Sequence, residues 1–230
     1  MKTIGMLGGM SWHSTALYYE LINKGVQQKI GGLHSAKIIM ASIDFAEIET
    51  LQRNGNWDRA GEILAEHSLK LQQAGADFLL ICTNTMHISA PIIQQLINIP
   101  LLHIADATAK VILRQGYKTT GLLGTRFTMQ MDYYKSRLQQ QGLKVVVPDE
   151  KECDRVNDVI FDELCYGTIK DNSRIDYLNI INKLAKNGAE CVIEGCTEIT
   201  LLVKQVDTKI KLFDTTAIHA DAAVNFALAE

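Results

Sequence analysis

The sequence predicts an α/β protein assembled from two similar halves. Three observations carry this. Short apolar runs alternate with segments of helical periodicity along the whole chain, the pattern of mostly parallel strands joined by right-handed crossovers. A small reactive side chain follows a buried-looking strand twice, in Ile81-Cys82-Thr83-Asn84-Thr85 and in Glu194-Gly195-Cys196-Thr197-Glu198. The halves also keep step. Gly8 and Gly124 lie 116 residues apart, and Thr83 and Cys196 lie 113 apart, near-equal offsets that favour an ancient duplication.

The elements follow in order. Lys2 to Leu7 is a short apolar strand ending in the turn Gly8-Gly9-Met10-Ser11, and Leu17, Leu21, Ile22 and Val26 then recur at helical spacing. Lys37 to Ile43 is a second strand. Ile63, Leu64 and Leu71 mark one face of a helix that stops near Gly75, and Asp77 to Cys82 is the strand after it. Leu101 to Ile104 reads as a further strand, with Asp106 as N-cap of the next helix. In the second half, Thr119 to Thr125 resembles Thr3 to Gly9, a strand closing on a small-residue turn. Cys191 to Ile193 is the strand before Cys196. Lys211 to Phe213 and the helix from Thr216 to Ala229 are expected to return to the first lobe. Residues 1–106 with 212–230 then form an N-terminal lobe, and 107–211 a C-terminal lobe.

Composition excludes several classes of function. At 230 residues the chain suits two lobes of roughly 100 residues each. It is 47% apolar and 21% charged, with net charge −3 and no basic run, so nucleic-acid binding is unsupported. No apolar run approaches the ~18 residues of a membrane span, and Met1-Lys2-Thr3-Ile4-Gly5 has no signal-peptide pattern. Five cysteines without scaffold spacing read as reduced thiols, so the expected location is the cytoplasm. Gly5-Met6-Leu7-Gly8-Gly9 departs from the dinucleotide fingerprint Gly-x-Gly-x-x-Gly. His87, His103 and His219 lack metal-ligand spacing. Trp12 and Trp57 read as packing residues.

Gly8-Gly9-Met10-Ser11, Cys82 to His87, Leu102 to Asp106, Gly124-Thr125-Arg126, Gly195-Cys196-Thr197-Glu198 and Phe213-Asp214-Thr215 occur in this order over essentially the whole length. In this the chain resembles the aspartate/glutamate racemase family, whose members need no pyridoxal phosphate. The resemblance implies two pseudo-symmetric lobes with the active site in the cleft between them. It also implies an amino-acid substrate, no cofactor or metal, and a homodimer.

Racemisation removes the α-proton and returns one to the opposite face, so two groups on opposite sides of the substrate are needed. The α-proton is weakly acidic, and carbanionic charge needs donors on the substrate carboxylate. A thiolate suits the base, because cysteine's reference pKa of ~8.5 can be tuned by its surroundings. Many relatives read Cys-Asn-Thr at the first site, where this chain has Thr83-Asn84-Thr85. Side chains alternate along a strand, so Cys82 should face away if Thr83 faces in. Thr83 and Cys196 are therefore the expected catalytic pair, with Cys82 as the other candidate at the first position. Cys153, Cys165 and Cys191 read as structural or bystander thiols. For substrate contacts the resemblance points to Met10, Gln52, Asn84, Thr85 and Thr197. Glu163, near where some relatives place a lysine, is a candidate for the substrate ammonium or a solvated helix carboxylate. Arg53 and Arg126 are candidate cations for a side-chain carboxylate.

The expected activity is cofactor-independent racemisation of aspartate and/or glutamate, favouring L-substrate. A hydantoin racemase or maleate isomerase-like enzyme is the alternative within the paired-thiol group. A non-catalytic amino-acid-binding protein is the alternative outside it, kept open by the threonine at position 83.

Overall fold

The computed structural model describes residues 1–229. In chain order the first part contains β1 (Ile4–Gly8), α1 (Trp12–Ile30), β2 (Ile38–Ser42), α2 (Phe45–Arg53), α3 (Trp57–Gln73), β3 (Phe78–Ile81) and α4 (Ala90–Leu96). There follow α5 (Ile104–Arg114), β4 (Thr119–Gly124), α6 (Arg126–Gln130), α7 (Asp132–Gln140), β5 (Lys144–Val146), α8 (Glu150–Asp162) and α9 (Asp171–Lys186). The chain ends with β6 (Cys191–Gly195), α10 (Ile199–Leu202), β7 (Lys211–Asp214) and α11 (Thr215–Leu228). Two compact units result, one of Met1–Ile104 with Thr216–Glu230 and one of Ala105–Thr215.

In the first unit all strand pairs are parallel and the order is β2-β1-β3. β1 and β3 are buried along their whole length because both faces are covered, whereas the edge strand β2 is partly exposed. Ile4, Met6, Phe78, Leu80 and Cys82 pack with Tyr18, Ile22 and Val26 of α1 and with Ala220, Ala223 and Val224 of α11. Leu7, Leu79 and Ile81 pack on the opposite face with Ile48 of α2 and Leu64 and Leu71 of α3. The two side-chain sets alternate along β3, as strand geometry requires.

The second unit holds a parallel sheet of order β5-β4-β6-β7. Its main core joins Leu123 and Val192 to Val156, Val159 and Ile160 of α8 and to Tyr177, Ile181 and Leu184 of α9. The first sheet matches this order once the single parallel bridge Leu79–Leu101 beyond β3 is included. The two units therefore share one strand order.

Three expectations change. Leu101 to Ile104 is not a strand beyond that one bridge, because Ile104 already opens α5 and its N–H is given to the His87 ring. Asp106 lies inside the first turn of α5 rather than capping it. Its carboxylate instead accepts Arg137 Nε at 2.8 Å and Nη2 at 2.7 Å. Lys211–Asp214 does not return to the first sheet; it pairs with β6, from Cys191↔Lys211 to Glu194↔Asp214.

The turn after β1 is fixed by space. Gly9 has φ +93°, and a Cβ there would stand 2.1 Å from the Ile43 carbonyl oxygen. The Gly9 N–H is taken by Thr15 Oγ1 at 2.8 Å, and Thr15 in turn donates to the Ser11 carbonyl at 2.9 Å. Ser11 caps α1 by accepting from the Ser14 N–H.

Candidate active site

Parallel pairing puts the carboxyl ends of the strands along one edge of each sheet, where α/β proteins bind ligands. At that edge of the first unit lie the Gly9–Ser11 turn and the segment Cys82–Thr85. Cys82 is only 1% exposed, inside the core against α1 and α11. Burial pushes its thiol far above the usual range, and Ser14 Oγ donates to its carbonyl at 2.9 Å. Thr83 is half-buried, just past the end of β3. Among the described residues no side-chain base is hydrogen-bonded to its hydroxyl. Asn84 and Thr85 are buried at the opening of a single 3-10 turn, Thr85–Ser89. Met10 and Gln52 are buried too, and Gln52 Nε2 donates to Met86 Sδ at 2.8 Å. The structure thus brings Gln52 to the 3-10 turn that follows Thr83.

A histidine cluster supports this turn. Ile104 N–H donates to His87 Nε2 at 3.3 Å, so His87 carries its proton on Nδ1 and gives it to the Thr83 carbonyl at 2.8 Å. His219 Nε2 donates to the Leu102 carbonyl at 2.7 Å, which leaves Nδ1 to accept the Tyr18 hydroxyl at 2.9 Å. The His87 ring lies 4.5 Å from that of His103 and 5.6 Å from that of His219, centroid to centroid. Burial, then the neighbouring rings, hold His87 well below the ordinary histidine range. Burial lowers His219 to about 4. Both rings are neutral near pH 7.

In the second unit Cys196, Thr197 and Glu198 follow β6 directly and are half-buried. The Cys196 thiol donates to Glu198 Oε2 at 3.0 Å. Burial pushes the thiol well up, and the Glu198 charge and hydrogen bond push it further; the Glu198 backbone N–H opposes them. Thr197 offers its carbonyl to Thr200 Oγ1 at 2.8 Å.

Glu163 is buried and already engaged. It accepts Ser173 Oγ at 2.6 Å and faces Lys170 Nζ at 3.4 Å and Arg155 Nη1 at 3.8 Å. The Ser173 bond, then Lys170 and Arg155, hold its carboxyl below the usual range. This occupation ties the end of α8 to the start of α9. Arg53 is paired with Glu49, and Arg126 with Asp154 at 2.8 Å. Among the described residues no group of three or more His, Cys, Asp or Glu could hold a metal ion. None of the described helices is long and apolar enough to cross a membrane.

The Asp/Glu/hydantoin racemase family model matches residues 7–223. The chain belongs to this family. A broad-specificity amino-acid racemase of Bacillus subtilis (strain 168), RacX, is 24% identical, with 98% of each chain covered. A Yersinia pestis protein of solved structure, provisionally described as an Asp/Glu racemase, is 50% identical over the full length of both chains, with a TM-score of 0.95. An aspartate racemase homologue from Pyrococcus horikoshii OT3 is 34% identical over both full lengths, with a TM-score of 0.87. The fold is that of the racemases, two parallel sheets flanked by helices. Amino-acid racemases are isomerases.

Sequence reasoning passed over the contact of Glu198 with the Cys196 thiol and that of His87 with the Thr83 carbonyl. Glu198 stood inside the motif Gly195-Cys196-Thr197-Glu198, two residues beyond the thiol. That spacing was the available signal. His87 stood inside the motif Cys82 to His87, but its contacts could not be read there, because one of them comes from the Ile104 N–H of a distant segment.

Proposed function

We propose that this protein is a cofactor-independent racemase of aspartate and/or glutamate, with Cys196 as thiol base and Thr83 as the group on the opposite face of the α-carbon. The observation that carries the reading is the placement of side chains at two equivalent strand ends. Cys82 is sealed in the core, whereas Thr83 and Cys196 are each partly accessible just past their strands. Asn84 and Thr85 follow Thr83, Thr197 follows Cys196, and all three are assigned to the substrate carboxylates; Met10 and Gln52 are assigned as further substrate contacts. Glu163 is reassigned from substrate contact to holding the α8–α9 connection, since three partners already take its charge. A homodimer in the cytoplasm is the working assembly and location.

Cys196 as thiolate removes the α-proton of the L-amino acid: the Cα–H bond breaks, an S–H bond forms, and the electron pair moves into the α-carboxylate. Donors around that carboxylate stabilise the developing charge. A proton then reaches the other face from the Thr83 hydroxyl or from a water held by it. The reverse order is harder, because an alcohol without a hydrogen-bonded base is a poor proton acceptor.

The two enantiomers have equal free energy, so full racemisation has equal kcat/KM in both directions. Asymmetry shows instead in α-proton exchange that returns the starting enantiomer. The test follows that exchange by proton NMR in D2O for pure L- and D-aspartate and glutamate and a 5-substituted hydantoin, using chelated, pyridoxal-free protein. Exchange of L-aspartate or L-glutamate well ahead of its D-form supports the proposal. Exchange confined to the hydantoin, or a strict need for an added cofactor, overturns it.

A further inference from the structure

Two backbone carbonyls flank the Thr83 side chain, and each is held by a side chain from elsewhere. The Cys82 carbonyl accepts Ser14 Oγ of α1 at 2.9 Å, and the Thr83 carbonyl accepts the His87 Nδ1–H at 2.8 Å. His87 lies in the 3-10 turn after Thr83, and its backbone N–H returns to the Asn84 carbonyl at 3.1 Å. Its other ring nitrogen, Nε2, accepts the Ile104 N–H at 3.3 Å. His87 is buried and wedged against the rings of His103 and His219, and His219 is itself fixed on the Leu102 carbonyl. Both His87 nitrogens are therefore engaged within the protein. Among the described residues no side chain is hydrogen-bonded to the Thr83 hydroxyl. A β-branched side chain is stiff about χ1, so the direction of that hydroxyl follows the backbone that carries it.

We propose that His87 is a positioning residue for Thr83: by tying the Thr83 carbonyl to the Ile104 N–H of a distant segment, it fixes the direction in which the Thr83 hydroxyl points. The inference rests on the proposed role of Thr83 as the opposite-face group. His87 touches no substrate and passes on no proton; it acts only through the backbone of Thr83. A neutral imidazole suits this place because it donates on one side and accepts on the other. Burial and the neighbouring rings favour that neutral form. Leucine at position 87 would fill much of the same space and make neither bond. Asparagine would keep an N–H donor near the position of Nδ1 and give up the bond to Ile104. The two substitutions therefore separate the grip on Thr83 from the filling of the core.

Once Cys196 has taken the α-proton of an L-amino acid in D2O, the carbanion has two fates. A deuteron returned from the Cys196 face restores the L-form, and one delivered from the Thr83 face gives the D-form. The first step is common to both. The ratio of D-product to deuterated L-substrate at early times therefore reads delivery at the Thr83 face alone. A loosened fold lowers both products together, whereas a misdirected hydroxyl lowers the ratio. The experiment measures both products from L-aspartate and L-glutamate, by proton NMR and chiral chromatography, in the native protein, His87→Leu and His87→Asn. In parallel, 15N NMR reads the His87 ring in the native protein, and hydrogen–deuterium exchange reads residues 83–87 in all three.

A displacement of about 1 Å can cost a reacting group roughly a hundredfold in rate. The proposal expects His87→Leu to lower the ratio by roughly tenfold or more, while total α-proton loss from L-substrate stays within about threefold of native. His87→Asn should recover most of the ratio. An unchanged ratio in His87→Leu, or no recovery in His87→Asn, would overturn the proposal. The native His87 ring should be protonated on Nδ1 and bare on Nε2; the reverse tautomer would overturn it even if His87→Leu fails to fold. If the native protein exchanges no amino acid, the racemase reading falls. Amide protection over residues 83–87, lost in His87→Leu and kept in His87→Asn, then still decides whether His87 holds the Thr83 backbone.

Discussion

The two units carry buried titratable groups of opposite tendency, so acid should act on them in opposite directions. In the first unit His219 is held at about 4, against an ordinary value of 6.5. Between those values the unfolded chain binds a proton that the folded unit refuses. This stabilisation is therefore complete above about pH 6.5 and is lost as pH falls. From pH 7.5 to 5 the loss from His219 alone is about 2 kcal/mol. His87, lowered for the same reason, adds to it. In the second unit Glu194 is pushed up to about 8 by burial and by neighbouring Asp214, against an ordinary 4.5. Its folded form binds a proton that the unfolded chain lacks, so its contribution is lost as pH rises through 8. From pH 7.5 to 5 it adds about 3 kcal/mol to the second unit. Asp149, Glu163 and Glu190, whose carboxyls are held low, lose their contributions only below about pH 5.

Either change is a large fraction of a typical stability of about 5–15 kcal/mol. Hydrogen–deuterium exchange, corrected for intrinsic rates, reads each unit through its own peptides without assuming two-state unfolding. Both tryptophans, Trp12 and Trp57, lie in the first unit, so fluorescence-monitored urea unfolding reports on that unit alone. On moving from pH 7.5 to 5, protection should fall in β1 and β3 and rise in β4 and β6. His219→Gln, which keeps an N–H for Leu102 but cannot titrate there, should lessen the first unit's loss by about 2 kcal/mol. Glu194→Gln should abolish the second unit's gain and leave the first unit's loss intact. Parallel loss in both units, unchanged by Glu194→Gln, would refute the reasoning.

Cys196→Ser should keep the fold and lose nearly all turnover, measured by circular dichroism and by α-proton exchange, because an alcohol replaces the thiol. Cys82→Ser should keep turnover and lose about 1–3 kcal/mol in urea unfolding, the cost of a hydroxyl in the apolar core against α1 and α11. Thr83→Cys should introduce exchange of D-aspartate or D-glutamate that rises with pH as the new thiol ionises; absent D-exchange at pH 9 would count against Thr83 as the opposite-face group. Gly9→Ala should cost about 3 kcal/mol or more in thermal or urea unfolding, since both its positive φ and the Ile43 backbone exclude a Cβ.

The parallel sheets were legible because strands buried on both faces read as unbroken apolar runs, as in Phe78-Leu79-Leu80-Ile81 and Cys191-Val192-Ile193. β5 was not, since Lys144-Val145-Val146 is three residues long and partly exposed, too short to show a period. Leu101 to Ile104 misled for a different reason. Its apolar residues are those of a strand, but a helix start and two histidine hydrogen bonds from other segments claim the backbone. Asp106 failed as a cap because Arg137, 31 residues on, binds it bidentately. The alternation that buries Cys82 could be read from sequence, whereas the crowding of Glu163 by Ser173, Lys170 and Arg155 could not. That crowding depends on how α8 meets α9.

The two units share a strand order and differ in the residues at their strand ends. Both sheets share one strand order, and each presents a reactive position just past an inner strand. Aligned on those positions, Thr83 corresponds to Cys196, and two residues further on Thr85 corresponds to Glu198. On the threonine side the adjoining groups are neutral: Asn84, Thr85 and a His87 ring locked in one tautomer by the Ile104 N–H and the Thr83 carbonyl. An acid next to Thr83 would gain little, because an alkoxide lies far beyond the reach of a carboxylate base. A neutral surround is compatible with the proton-donating role proposed for Thr83. The two strand-end segments therefore differ at both aligned positions, cysteine against threonine and glutamate against threonine, within one strand order.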